Sequence, residues 1–123
     1  MTQGRQTREF NFVEDLVDGM VRAAATPGIE GGLFNLGCGE DVSIRDVTTL
    51  VLDLMGNPVE ARFGALPDRP IEIWEMRCDA GRARDELGWK PQHSLSDGLE
   101  KTIAWYRGEI ADPSSAFVVP RPG

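Results

Sequence analysis

The first part of the chain changes from an alternating to a helical pattern of hydrophobic residues. Phe10 and Phe12 alternate with polar neighbours, which predicts a half-buried strand. Asp15 is then predicted to cap a helix, and Pro27 and Gly28 end it because proline cannot continue the hydrogen-bond ladder. The apolar positions of this helix share one face: Leu16, Val17, Met20, Val21 and Ala24.

A second strand and helix follow in the same order. Residues 33–36 form a short apolar run that predicts a buried strand, closed by a glycine-containing turn. Ser43 and Asp46 have the spacing of a capping box, with aspartate in place of glutamate, and Gly56 is predicted to end the helix. Its apolar positions again have helical spacing: Ile44, Val47, Val51, Leu54 and Met55.

The second half of the chain predicts one more strand and two more helices. Residues 59–63 alternate as a third strand, and residues 66–77 are irregular around two prolines. Asp79 is predicted to cap a short helix that Gly88 closes, and Ser94 to cap the last one. Residues 112–123 are rich in proline and serine, which predicts a flexible C-terminal tail after a domain at residues 1–111.

The order of these elements predicts the fold class. Alternating strands and helices are typical of an α/β protein. We expect a small, mostly parallel sheet of about three short strands with about four helices. Parallel sheets are normally covered on both faces. So small a sheet is therefore expected to be incomplete and to need a partner at its open edge or face.

Composition narrows the possible partners. The length of 123 residues suits one domain, and the net charge of −7 argues against nucleic acid and anionic membrane as partners. Arginine is the main basic residue and suits phosphate and carboxylate groups. Two distant cysteines and one histidine predict neither a disulfide framework nor a metal site. The N-terminal residues lack the apolar core that a signal peptide needs, and no run reaches transmembrane length, so we expect a cytoplasmic location.

Four segments together resemble a known family. Residues 4–17 read GRQTREFNFVEDLV, residues 33–40 read LFNLGCGE, residues 79–91 read DAGRARDELGWKP, and residues 94–106 read SLSDGLEKTIAWY. In this order they resemble the C-terminal, substrate-binding part of extended short-chain dehydrogenases that act as NAD-dependent nucleotide-sugar epimerases and dehydratases. The resemblance extends over most of the chain.

The resemblance implies three substrate-binding residues. Arg8 matches an arginine that contacts the nucleotide diphosphate, and Arg69 one that makes a second phosphate or ribose contact. Asn35 matches an asparagine at a strand end near the nucleotide. Other roles stay open, because Arg8 could instead pair with Glu9 or Glu14 and Asn35 could satisfy backbone groups.

The family's cofactor and catalytic motifs are absent from this sequence. No glycine-rich dinucleotide loop is present, and the turn at residues 37–39 is expected to be structural. The Tyr-x-x-x-Lys pair is also missing, because the only tyrosine, Tyr106, is followed four residues later by Ile110. We therefore expect no catalytic residue here and no cofactor bound by this chain alone, whereas the complete family uses NAD or NADP.

We expect mainly structural roles for the histidine and for most of the aromatic residues. His93 is expected to lie in a turn or on the surface, and Trp89, Trp105 and Tyr106 in the core. Trp74, in the irregular segment beside Arg69, could stack on a base or pack against a partner.

Two functions remain open from the sequence. The first is a nucleotide-sugar-binding part of an epimerase or dehydratase, catalytically incomplete by itself. The second is a non-catalytic binding or scaffold module that dimerises to cover its apolar face. The expected partners are a nucleotide-diphosphate sugar, and either a second copy or a separate cofactor-binding chain.

Overall fold

The computed structural model describes residues 1–111. Four helices and two short strands make up this range, which confirms the α/β class and the number of helices. Their order is β1 (Thr7–Glu9), α1 (Val13–Ala25), β2 (Asp41–Ser43), α2 (Ile44–Met55), α3 (Gly81–Leu87) and α4 (Leu95–Ala111). The predicted tail at residues 112–123 lies outside the described residues.

The sheet differs from the prediction in strand number and direction. Within residues 1–111 it has two strands, β1 and β2, which pair antiparallel with Arg8 opposite Val42. The prediction of about three mostly parallel strands is therefore wrong. Residues 33–36 and 59–63 have no regular strand structure. A strand requires a neighbouring strand for its hydrogen bonds, and an apolar or alternating run alone does not supply one.

Local sequence signals position most helix ends. The backbone N–H of Asp46 donates to the Ser43 side chain at 3.0 Å, as the predicted capping box requires. Gly56 ends α2 in the left-handed conformation, with φ of 80°, which glycine adopts without strain. Gly88 ends α3 in the same way, and Ser94 accepts a hydrogen bond from the Asp97 N–H at 3.1 Å in front of α4.

Two predicted caps are wrong. α1 begins at Val13, so Asp15 lies inside its first turn, where it is 3% exposed. Asp79 lies one residue before the N-cap of α3 and accepts a hydrogen bond from the Gly81 N–H at 2.7 Å. A cap preference does not identify which of several neighbouring positions starts the helix.

The core joins α1 to α3. Ala83, Leu87 and Trp89 form a buried cluster, and Trp89, 1% exposed, confirms the prediction of a core residue. The partly buried side chains around this cluster are Ala23, Ile29, Phe34, Leu36 and Ala80. Gly19 allows this packing, because a Cβ there would lie 2.6 Å from the Leu36 side chain.

The last helix is less buried than its sequence predicts. Trp105 is 54% exposed and Tyr106 is 41% exposed, so their prediction as core residues is wrong. Their rings contact each other edge to face, with centroids 4.9 Å apart. Among the described residues, no helix is both long and apolar enough to cross a membrane.

Candidate functional site

The irregular segment at residues 68–74 lies alongside β1. The Thr7 N–H donates to the Trp74 carbonyl at 2.7 Å, and Arg5 pairs with Asp68 at 3.0 Å. This arrangement connects residues more than sixty positions apart in the chain. It places the segment that contains Arg69 next to the strand that contains Arg8.

Arg8 is half-buried and already has an acidic partner. Its Nη2 lies 3.2 Å from Glu72 Oε1, and its Nη1 donates to the Thr7 carbonyl at 2.6 Å. The Glu72 side chain is only 11% exposed. The partner is therefore neither Glu9 nor Glu14, and a phosphate would have to share the guanidinium with Glu72 or displace that carboxylate.

Arg69 differs from Arg8 in its surroundings. It is exposed, and it makes no hydrogen bond or ion pair to any other residue of the described range. An arginine in this position can bind an anion without giving up an existing contact. Trp74, at the other end of the same segment, is 46% exposed, and the Arg5 guanidinium carbon lies 5.6 Å from its ring centroid.

Asn35 makes a structural contact in a different part of the fold. Its Nδ2 donates to the Asp79 carbonyl at 3.3 Å, which holds residues 33–36 against the start of α3. This contact is the backbone role that the sequence left open. No direct bond joins Asn35 to Arg8 or Arg69, although the turn after it reaches β1 where the Gly39 N–H donates to Glu9 at 2.8 Å.

The turn at residues 37–39 does not fit a dinucleotide cofactor. A Cβ on Gly37 would collide with the Cys78 sulfur and the Glu9 carboxylate, so the space beside this glycine is filled. The Gly39 N–H also donates to the Glu9 carboxylate, whereas the N–H groups of a phosphate-binding loop are free to donate to the phosphate. The described residues therefore offer no pyrophosphate cradle at this turn.

The Cys78 thiol is unsuited to nucleophilic chemistry. Partial burial raises its pKa, and a hydrogen bond to Glu9, the charge of that carboxylate and nearby Cys38 add to the effect, to about 11. The thiol is therefore neutral at pH 7, and the neutral form is a poor nucleophile. Within residues 1–111, no group of three or more histidine, cysteine or acidic side chains could hold a metal ion.

Asp15 and His93 form a cluster that the sequence did not predict. Asp15 accepts hydrogen bonds from the Gln92 and His93 N–H groups, both at 3.1 Å, and lies 2.9 Å from His93 Nδ1. Lys101 Nζ lies 2.8 Å from the other ring nitrogen. Trp89 Nε1 donates to the Asp15 carbonyl at 2.8 Å. Each His93 nitrogen has a partner, so the cluster ties the residues before α4 to α1.

The pKa of Asp15 follows from these contacts. Burial by itself would raise it, because a charged carboxylate is poorly solvated inside a protein. The hydrogen bonds from the His93 side chain and from the Gln92 and His93 backbone outweigh burial, and the pKa is lowered. The separation of 78 positions between Asp15 and His93 explains why local patterns gave no signal of this pair.

Two prominent cavities in the described range do not include the predicted binding residues. The larger of these two, about 720 Å³, is an apolar groove between residues 10–14 and α4, lined by Phe10, Phe12 and Leu99. The smaller, about 170 Å³, lies at Cys78 and Arg84. Neither includes Arg8, Asn35 or Arg69. Asn35 and Arg69 are exposed, whereas Arg8 is half-buried.

Known proteins match the chain in both sequence and structure. A sequence profile of the family described as GDP-mannose 4,6 dehydratase matches residues 1–102. UDP-glucose 4-epimerase of Mycolicibacterium smegmatis is 39% identical over 106 residues, which are 86% of this chain and 33% of that protein.

Two solved structures have the same fold over most of this chain. The Bordetella bronchiseptica enzyme WbmF, in complex with NAD+ and UDP, is 38% identical with a TM-score of 0.72, over 89% of this chain and 31% of that one. UDP-glucose 4-epimerase of Thermotoga maritima, with UDP-glucose, is 26% identical and has a TM-score of 0.74. The match covers 87% of this chain and 33% of that one.

The chain spans about a third of the length of these relatives. The family profile nevertheless matches well over half of this chain. Three of the four segments that carried the resemblance lie within the matched range, and the fourth, residues 94–106, begins within it. The chain therefore belongs to the GDP-mannose 4,6 dehydratase family, the NAD-dependent nucleotide-sugar epimerases and dehydratases of the extended short-chain dehydrogenase kind.

Proposed function

We propose that residues 1–111 form the nucleotide-sugar-binding part of an NAD(P)-dependent epimerase or dehydratase. By themselves these residues complete no reaction. The observation that carries this proposal is the pair of arginines on adjacent segments. Arg8 lies on β1, and Arg69 lies on the segment that is hydrogen-bonded to β1, with no acidic partner among residues 1–111. Two guanidinium groups presented from neighbouring segments suit a diphosphate. UDP and UDP-glucose in the two related structures support this choice of ligand.

In this proposal Arg8 and Arg69 have different tasks. Arg8 is fixed by the Thr7 carbonyl and Glu72, so it would orient one phosphate from a rigid position. Arg69 would close on the second phosphate or the ribose from the solvent side. Asn35 would contribute an amide near the nucleotide while its Nδ2 holds the Asp79 carbonyl. Orientation of the bound sugar is the contribution that such a clamp makes to catalysis.

The cofactor belongs to the remainder of the enzyme. NAD(P) supplies the hydride chemistry of the family, and the described residues offer no cradle for it at the turn of residues 37–39. We therefore place the cofactor and the proton-transferring groups outside this chain. The base, the sugar and the choice among epimerisation, dehydration and decarboxylation depend on those other residues.

Calorimetric titration of the purified chain tests the proposal. UDP-, dTDP- and GDP-sugars are titrated separately, and NAD is titrated in parallel. We expect at least one sugar nucleotide to bind and NAD not to bind. NAD binding, or no binding by any sugar nucleotide, contradicts the proposal.

Arg69→Ala gives the sharper test, with Arg62→Ala as the matched control. Arg69 has no ion pair in the described range, so its removal should leave the melting temperature unchanged and weaken sugar-nucleotide binding about 5- to 100-fold. Arg62 is also exposed, and its variant should bind as tightly as the original chain. Equal affinities for all three proteins would remove Arg69 from the site.

The second function, a dimerising scaffold module, keeps one observation in its favour. Many large apolar side chains are exposed, among them Leu33 at 81% and Ile71 at 91%. Such a surface suits association with another protein. A concentration-dependent dimer in sedimentation, together with no nucleotide binding, would support the scaffold function over the first.

A further inference from the structure

The fold brings the two cysteines of the chain together. Cys38 and Cys78 are far apart in the sequence, and both are half-buried with free thiols. They line the same cavity of about 170 Å³ beside α3. The charge of Cys38 also contributes to the raised pKa of Cys78, an effect that requires the two sulfur atoms to lie near each other.

Two contacts hold the cysteine-containing segments side by side. Asn35 Nδ2 donates to the Asp79 carbonyl at 3.3 Å, which joins the segment before Cys38 to the residue after Cys78. In addition, a Cβ on Gly37 would collide with the Cys78 sulfur. The Cys78 sulfur therefore lies against the backbone of the turn, one residue from Cys38.

The turn has the freedom to bring Cys38 onto Cys78. The Cys38 thiol donates hydrogen bonds to backbone carbonyls, the shorter to Glu40 at 3.2 Å, and a thiol is a weak donor that is readily released. Cys38 also lies between Gly37 and Gly39, whose backbone torsions are the least restricted of any residue. A disulfide requires the two Cα atoms to lie within about 7 Å and a defined torsion, and such a turn can adjust to both.

We propose that Cys38 and Cys78 form a reversible disulfide in the folded chain when a low-molecular-weight disulfide such as oxidised glutathione is present. The bond joins the turn at residues 37–39 to the segment before α3, next to the contact that Asn35 makes. This chain thereby has a redox-sensitive modification site. The site does not depend on the binding of a nucleotide sugar, so it stands or falls separately from the function proposed above.

The exchange has two steps. The Cys38 thiolate attacks one sulfur of oxidised glutathione, a mixed disulfide forms, and the first glutathione leaves as a thiolate that takes up the proton lost by Cys38. The Cys78 sulfur then attacks the Cys38 sulfur, the protein disulfide forms, and the second glutathione leaves. Glu9, which is hydrogen-bonded to the Cys78 thiol, accepts its proton and passes it to the leaving thiolate. The protein loses two protons and two electrons, and one glutathione disulfide becomes two thiols.

The surroundings of the two thiols set the order of attack. The pKa of Cys78 is raised to about 11, so its thiol is neutral at pH 7 and reacts poorly with a small disulfide from solution. The first attack therefore belongs to Cys38. In the second step Cys78 attacks a sulfur that the fold holds beside it, and this proximity offsets the small fraction of Cys78 thiolate.

Equilibration of the original chain in glutathione redox buffers at pH 8 tests the proposal. The reaction is carried out in native buffer and in concentrated urea, quenched with acid and alkylated, and the disulfide-linked peptides are measured by mass spectrometry. We expect one bond within each chain, between Cys38 and Cys78, that excess dithiothreitol reverses. Its equilibrium constant against glutathione should be at least about 10-fold greater in the folded chain, because the unfolded chain must close a long loop to form it.

Serine variants are the matched controls. Cys78→Ser should stop at the mixed disulfide of Cys38 with glutathione, and Cys38→Ser should remain largely unmodified. The equilibrium constants and the peptide map come from the original chain, so a serine variant that does not fold leaves the test intact.

Four outcomes overturn the proposal. They are no bond within the folded chain, equal equilibrium constants in the folded and unfolded chains, a bond between two copies that increases with protein concentration, and a folded Cys78→Ser chain that takes up no glutathione.

Discussion

At the scale of single residues, the fold gives similar side chains different surroundings. Arg8 is proposed to contact the nucleotide diphosphate, and Arg69 a second phosphate or the ribose. Arg8 is 26% exposed and paired with Glu72, whereas Arg69 is exposed and unpaired within the described range. An anion must compete for Arg8 but not for Arg69. Substitution of Arg8 by lysine therefore tests the geometry of phosphate binding, and removal of Arg69 tests the contribution of its charge.

Arg8→Lys tests the geometry. Lysine keeps the charge near Glu72 but loses the planar fork, so we expect sugar-nucleotide binding to weaken by about 1–3 kcal/mol while melting changes little. Calorimetry and thermal melting measure the two quantities. Arg5→Lys is the matched control, since Arg5 also pairs with an acidic residue of the neighbouring segment but is 67% exposed. Equal affinity of Arg8→Lys and the original chain would exclude Arg8 from the site.

Asp15 predicts a pH dependence of stability. Its pKa is lowered in the folded chain from an ordinary value of 3.8. The ionised carboxylate therefore stabilises the fold above pH 3.8, and this contribution is lost as the pH falls through the lower folded pKa. Urea unfolding at a series of pH values should show this contribution decreasing as the pH falls below about 4.

Asp15→Asn should remove part of this acid dependence. An amide can accept one of the Gln92 and His93 hydrogen bonds, but it turns a donor toward the other, at a cost of about 1–3 kcal/mol at pH 7. Asp85→Asn, at a side chain 73% exposed, is the control and should leave the pH profile unchanged. If the stability of Asp15→Asn depended on pH in the same way as that of the original chain, Asp15 would not be the source of the acid dependence.

At the scale of elements, caps contribute measurable stability. Ser94 and Asp97 exchange hydrogen bonds at the start of α4, as a capping box does. Ser94→Ala should lower the free energy of unfolding by about 1 kcal/mol. Ser96→Ala, inside the first turn of the same helix, removes a hydroxyl that caps nothing and should change stability by less. Chemical denaturation measures the free energy of unfolding of both variants. Equal losses would show that the capping hydrogen bonds of Ser94 are not the cause.

Helices and strands were predicted with different success for a physical reason. Ser43, Gly56 and Gly88 act on backbone groups within a few residues, so α2 and the end of α3 could be predicted from the sequence. A strand depends on a neighbour that is remote in sequence. Residues 33–36 have the composition of a buried strand, but within the described range no other strand pairs with them.

At the scale of the whole molecule, the buried core is small. The contiguous cluster is formed by Ala83, Leu87 and Trp89. Leu87→Ala should therefore cost about 2–5 kcal/mol, a large part of the stability of a domain this size. Val59→Ala, at a position 65% exposed, should cost less than about 0.5 kcal/mol. Thermal and urea unfolding measure both, and similar losses would contradict a core centred on α1 and α3.

The sequence by itself determined the family, the α/β class, the four helices and the buried position of Trp89. These features depend on local hydrogen bonds, hydrophobic spacing and short motifs that a linear sequence contains. The predicted roles of Arg8, Asn35 and Arg69 in binding remain predictions, since they concern a ligand.

Only the tertiary structure decided which residues meet. It paired Arg8 with Glu72, buried Asp15 against His93, made the sheet antiparallel and left Trp105 exposed. Each of these outcomes depends on segments far apart in sequence that approach one another when the chain folds. Burial and ion pairing follow from that approach, so neither can be derived from the spacing of residues along the chain.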